Sequence, residues 1–213
     1  MWKIFKQNLR FSLVYLTTAL LIVVALKFLT GSAISTAFVL LSGVLAYMLV
    51  FGLIFVNEQY EEKHHGYIFL CTLPIHVREI VFAKFLRILV AEILLVCLAI
   101  TLISLSPGNP DQLKVACSWI LLSGLLALVL GGLVLIGLFS MSYTVFLKIS
   151  LVLLVFIQMI PMILLSSGKF QAFVEGTIEF LSSVNWIVWI PVGLAVYLGL
   201  MLAAIKVKTL HRC

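Results

Sequence analysis

Apolar residues run in long blocks through this sequence, and charges interrupt them so seldom that the intervals between charges read directly as candidate membrane-spanning helices. Six intervals result, near residues 11–29, 34–56, 85–106, 115–140, 147–167 and 186–205. Each supplies about 20 residues, the length that carries an α-helix across the hydrocarbon core of a bilayer. The pattern therefore predicts an all-α integral membrane protein, a single transmembrane unit over residues 1–213. The fourth interval stays uncharged from Val115 to Leu147, longer than one perpendicular helix requires. Gly131 and Gly132 are expected to bend it, with the excess extending beyond the membrane.

Composition sharpens this picture. Hydrophobic residues make up 64% of the 213 and charged residues 10%, which leaves no polar coat for a water-soluble enzyme domain. Cys71, Cys97, Cys117 and Cys213 form neither a CxxC pair nor a cluster, so neither a disulfide framework nor a structural zinc site has support. The net charge of +6 does not point to nucleic acid, because the basic residues lie between apolar runs without interleaved aromatics. They report orientation instead. Lys3, Lys6, Arg10, Lys63, Arg78, Lys84, Arg87, Lys148, Lys206, Lys208 and Arg212 fall on one side of a six-span arrangement, and Lys27, Lys114 and Lys169 on the other. The positive-inside rule then puts both termini in the cytoplasm. The first basic cluster also has the look of a signal peptide, but the run after it is long and five further spans follow.

Three extramembrane stretches depart from plain connections. Trp2, Phe5 and Leu9 alternate at helical spacing with Lys3, Lys6 and Arg10, the pattern of an amphipathic elbow helix over residues 1–10 in the headgroup layer. A positive flank that only sets topology fits the same residues. The connection Asn57 to Lys84 holds four of the eight acidic residues. Glu58 to Leu70 can form a short helix presenting Glu58, Glu61, Glu62 and Lys63 to water, with Tyr60, Tyr67 and Cys71 near one face. Pro74 breaks it, and Arg78 and Glu79 open a second helix that continues through Lys84 into the third span. A short helix held between two spans is a lever that a cytoplasmic protein could grip; a solvated loop is the alternative.

Glu61, Glu62 and Lys63, followed by the run Leu70-Cys71-Thr72-Leu73-Pro74-Ile75-His76-Val77-Arg78-Glu79-Ile80-Val81-Phe82-Ala83-Lys84, resemble the type-2 ABC exporter permeases of bacteria. Leu73, Pro74, Ile75, Arg78, Glu79, Ile80, Val81 and Lys84 fit the family pattern, while His76 and Val77 stand where a small hydroxyl and a basic residue are usual. The resemblance implies a plasma-membrane permease that forms half of a dimeric channel, from two identical or related chains, driven by separate cytoplasmic ATPase subunits. It makes the acidic connection the coupling helix, with Glu58, Glu61, Glu62, Lys63, Gly66, Tyr67, Pro74, Arg78 and Glu79 as the ATPase-coupling residues. ATP and Mg would sit on the partner, and this chain would bind no cofactor. That agrees with the absence of a GxxxxGK[ST] phosphate loop, since Gly168-Lys169 is followed by Phe170. The resemblance also implies an amphipathic peptide, drug or lipid-like cargo, as for permeases of bacitracin-like, lantibiotic or phenol-soluble-modulin peptides.

The connection between the last two spans places Phe170, Phe173, Val174, Thr177, Ile178 and Leu181 at spacings of three and four, with Glu175 and Glu179 opposite. Phe170, Phe173, Thr177 and Leu181 are read as an outward gate or re-entrant helix, as family members similarly have. Within the membrane Glu92 stands out, because a carboxylate there is costly unless paired, protonated or facing water. Arg87, five positions back, lies on a different helical face, so a partner on another helix or the neutral form is expected. Ser123, Ala127 and Gly131, and likewise Gly199 and Ala203, recur at fourfold spacing and read as packing faces. His64 and His65 point about 100° apart on a helix and do not share a metal. No nucleophile, base and orienting acid come together. A membrane-embedded enzyme and a passive scaffold or immunity protein are the alternative functions.

Overall fold

The computed structural model describes residues 14, 17–18, 21–25, 36–63, 76–105, 109–141, 145–146, 148–149, 176, 179–181 and 183–210. Among these the chain is helical without strands. Four long helices dominate: α1 (Thr36–Lys63), α2 (Val77–Ser104), α3 (Pro110–Ser140) and α4 (Trp186–Leu210). Three apolar stretches, Arg78–Ser104, Pro110–Ser140 and Trp186–Lys208, are long enough to cross a membrane. The expected elbow over residues 1–10 and the fifth span near 147–167 lie outside the described residues or largely so.

Helix starts follow local chemistry. Extended backbone at His76 turns into α2, the Glu79 amide donates to the His76 carbonyl at 2.9 Å, and Glu79 complements the positive helix end. At α3 the extended Asn109 precedes Pro110, whose fixed φ and missing N–H suit the first helical position, and Asp111 follows. The observed helices overrun the expected spans. The second expected span ends at Val56, whereas α1 continues unbroken to Lys63; the third begins at Phe85, whereas α2 is already helical at Val77. The fourth begins at Val115, five residues after α3 actually starts. Charge marks where a chain leaves hydrocarbon, not where a helix stops.

The core forms along single faces. On α1, Ala46, Leu49, Val50, Leu53 and Ile54 are buried at helical spacing; on α2, Val81, Phe85, Ile88, Ala91, Leu95, Ala99 and Ile103 form the matching stripe. The central helix is α3, which packs against α1, α2 and α4. Its Ser123, Ala127 and Gly131 are buried, as their spacing predicts, and let neighbouring backbones approach. α3 runs through Gly131 and Gly132, where a bend is expected, as one continuous helix. The glycines serve approach instead. A methyl on Gly131 would collide with Val50, and one on Gly132 would stand 3.0 Å from Leu200.

Contacts fix the directions. Along α3 and α4, Ser118 meets Trp186, Leu125 meets Gly193, Gly132 meets Leu200 and Phe139 meets Lys208, advancing together, so these helices are parallel. Gly124 against Val96, Gly131 against Ile88 and Phe139 against Lys84 make α2 antiparallel to α3. Lys63 and Val77 therefore share one end of the bundle, here the loop end, while Ser140 and Trp186 lie at opposite ends. Much of α4 is exposed and apolar, including Ile187, Trp189, Val192, Val196, Leu198 and Leu202. Gly199 and Ala203 are exposed with it, and open space surrounds Gly199, so the expected packing face is uncovered in the single chain.

Gly131→Val is expected to destabilise the isolated protein by about 1–3 kcal/mol through overpacking, read as a lower thermal midpoint in detergent. Gly199→Val, which meets nothing within 4 Å, leaves that midpoint unchanged.

Candidate functional site at the loop end

An acidic turn on one helix and a basic turn on the next meet where α1 and α2 share the loop end. Glu58, in the last two turns of α1, accepts from the Lys84 ammonium of α2 in a direct ion pair. Both side chains are nearly sealed, with residue exposures of 2% for Glu58 and 5% for Lys84. Glu58 was expected to face water; that expectation is corrected. The helical register that turns Leu53 and Ile54 inward turns Glu58 inward as well, four and five positions later, and Lys84 rises from beside the buried Phe85 to meet it.

The pair is one corner of a larger joint. Lys84 Nζ also lies 5.5 Å from the centre of the Phe139 ring near the end of α3, and Lys208 Nζ of α4 lies 5.5 Å from the same ring. Phe139 is buried, so an aromatic ring with two ammonium groups ties α2, α3 and α4 together at the end where α1 and α2 are joined by charge. One turn deeper, the Tyr197 hydroxyl donates to the Phe85 carbonyl at 2.8 Å and the two rings lie 5.2 Å apart, adding an α4 to α2 bond. At the opposite end the Trp186 indole N–H donates to Ser118 Oγ at 2.7 Å. Every described helix is thus anchored near the loop end. Two withdrawn charges cost several kcal/mol each in desolvation, so the pair specifies register more than it adds stability.

The other predicted coupling residues are placed unevenly. Arg78 and Glu79 are exposed in the first turn of α2, open to a partner. Glu61, Glu62 and Lys63 lie on the last turn of α1, with side chains outside the described set, and Gly66, Tyr67 and Pro74 lie outside the described residues. Of the expected gate, Phe170, Phe173 and Thr177 also lie outside, while Leu181 is buried beside an exposed Glu179 and Phe180. Among the described residues no cluster of His, Cys, Asp and Glu could hold a metal. Lys84, Phe139 and Lys208 were missed as site residues. Lys84 carries a signal in the sequence, since it closes the charged connection, but Phe139 is one aromatic among many in an apolar run.

Glu92 lies deeper on α2. It is 1% exposed, and neither carboxyl oxygen has a hydrogen-bond partner. A partner on another helix, one of the two expectations for this residue, is not found among the described residues.

A family model described as "ABC-2 family transporter protein" matches residues 4–207. No curated protein and no solved structure matches the chain.

Replacing one member of the buried pair leaves the other charge stranded. Glu58→Gln or Lys84→Met alone is expected to cost about 3–5 kcal/mol, while the double variant Glu58→Met with Lys84→Met recovers most of it. Thermal unfolding of the four proteins in detergent closes the cycle.

Proposed function

The chain belongs to the ABC-2 family of transporter proteins, a membrane permease component that associates with an ABC ATPase, and on that premise we propose an ATP-driven exporter with a coupling site at the loop end. Two permease chains, identical or related, assemble with two ATPase subunits in the bacterial plasma membrane. The chain crosses six times with both termini in the cytoplasm, so the loop end is the cytoplasmic end. The parallel course of α3 and α4 supports the sixfold count, because the chain between Ser140 and Trp186 has to return from one end of the bundle to the other.

The observation that carries the reading is the Glu58–Lys84 pair directly behind the connection from 64 to 75. A partner that grips this connection acts on the ends of α1 and α2. If those ends were held by apolar contacts alone, each helix could slide separately. A buried ion pair has a narrow range of favourable geometries, so displacing one end displaces the other. Lys84 and Lys208 on Phe139 extend the linkage to α3 and α4. Exposed Arg78 and Glu79 at the start of α2 give the ATPase polar footing next to the joint.

The energy comes from the partner, which holds ATP and Mg; this chain binds no cofactor and carries out no bond chemistry. Closure of the ATPases on nucleotide presses the coupling residues, among them Glu61, Glu62, Lys63, Gly66, Tyr67 and Pro74, and switches the central path between inward and outward access. The cargo is an amphipathic peptide, drug or lipid-like molecule, released past Phe170, Phe173, Thr177 and Leu181.

Introducing Glu62→Lys together with Gly66→Pro reverses a charge at the end of α1 and constrains the connection after it, while both members of the buried pair are kept. Binding of the purified ATPase to the detergent-solubilised permease is expected to fall by at least tenfold. Retained binding rejects the coupling site.

A further inference from the structure

Eight residues beyond Lys84, about 12 Å further along α2, Glu92 occupies a setting quite unlike that of Glu58. Among the described residues it lies against an uncharged neighbour. From α3 comes Gly124, where a methyl group would stand 3.2 Å from Glu92 Oε1 and 2.7 Å from Val96 Cγ2. On α1 and α4 lie two phenols, the half-buried Tyr47 and the buried Tyr197. Tyr197 is held in place by its bond to the Phe85 carbonyl. Arg87, on the same helix, is rotated away by about 140° at a spacing of five. A carboxylate enclosed in this way needs a cation or a proton, because an isolated charge in a low-dielectric interior costs several kcal/mol.

We propose that the buried, unpartnered Glu92 is the recognition point for a positively charged group, an amine or guanidinium, of an amphipathic cargo that enters between α2 and α3. A carboxylate supplies the ion pair that such a group needs. Gly124 brings the α3 backbone close against Oε1, so a cationic group reaches the carboxyl only when α2 and α3 part. The apolar remainder of the cargo then lies along the Val96 side of the seam. This rests on the exporter reading and narrows its substrate class to cationic amphiphiles.

The experiment uses the purified full-length permease in detergent without the ATPase, so its outcome is independent of coupling at the loop. Binding is titrated with tetraphenylphosphonium and with its same-shape anion, tetraphenylborate. Wild type is expected to bind the cation saturably, Glu92→Asp somewhat less tightly, and Glu92→Gln at least tenfold less tightly, with no matching change for the anion. Gly124→Ala leaves the carboxyl group in place but narrows its seat, and is expected to weaken the cation severalfold; it decides the matter if Glu92→Gln does not fold. Absence of saturable cation binding by folded wild type, or equal cation binding by wild type and these variants, overturns the proposal. A permease that binds the cation but not the ATPase retains the recognition site and loses the exporter reading.

Discussion

Two opposite charges withdrawn from water hold the loop end of this bundle, and the rest of the molecule is arranged around them. Glu58 and Lys84 sit on different helices, 26 positions apart, and neither is tolerable in the interior without the other. Their pairing fixes how far α1 and α2 can slide and turn against each other. Phe139 then passes the constraint to α3 and α4 through Lys84 and Lys208. An apolar contact there would tolerate many rotations. A paired charge does not, and that intolerance is what makes the end of the bundle a joint instead of a bearing.

Beyond the joint, packing is governed by α3, which touches all three neighbours and does so with little side-chain bulk. Lipid tails are as apolar as leucine, so nothing squeezes the helices together as water would; close approach at Gly124, Gly131 and Gly132 supplies dispersion contacts instead. The same economy of bulk lets one carboxyl group, Glu92, lie against backbone. The paired charge at Lys84 and the unpartnered carboxyl at Glu92 thus occupy different depths of α2.

Much of this was legible in the chain itself. The blocks of apolar residues located all four long helices, because in a membrane hydropathy is nearly a direct image of the element. Ser123, Ala127 and Gly131 announced a packing face by spacing, and Asn109-Pro110 and Glu79 carried ordinary helix-start chemistry. The reading of Glu58 as water-facing failed for a definable reason. An acidic run beyond an apolar block looks like a solvated surface, and nothing local distinguishes the carboxylate that turns inward; its reason is Lys84 on another helix. Phe139 was silent for the opposite cause, being apolar among apolar neighbours. Gly131 and Gly132 drew attention as a candidate bend, while the close approach of Val50 and Leu200 to them shows only in three dimensions. Glu92 was conspicuous by its charge, but that the α3 backbone at Gly124 lies against it required the three-dimensional contacts.

The shared direction of α3 and α4 has a consequence for biogenesis. Neighbours in an antiparallel hairpin find each other as soon as the second leaves the ribosome, but Trp186 bonds a serine made 68 residues earlier. While it waits, α3 keeps the flank that carries Ser118, Leu125 and Gly132 without its α4 partner. Of the four long helices α4 is therefore the last to join, and a chain terminated before it is synthesised lacks Tyr197, Lys208 and the partner of Ser118 at one stroke. Such a product would present an unfinished flank along its whole length, the kind of lesion that membrane proteases recognise.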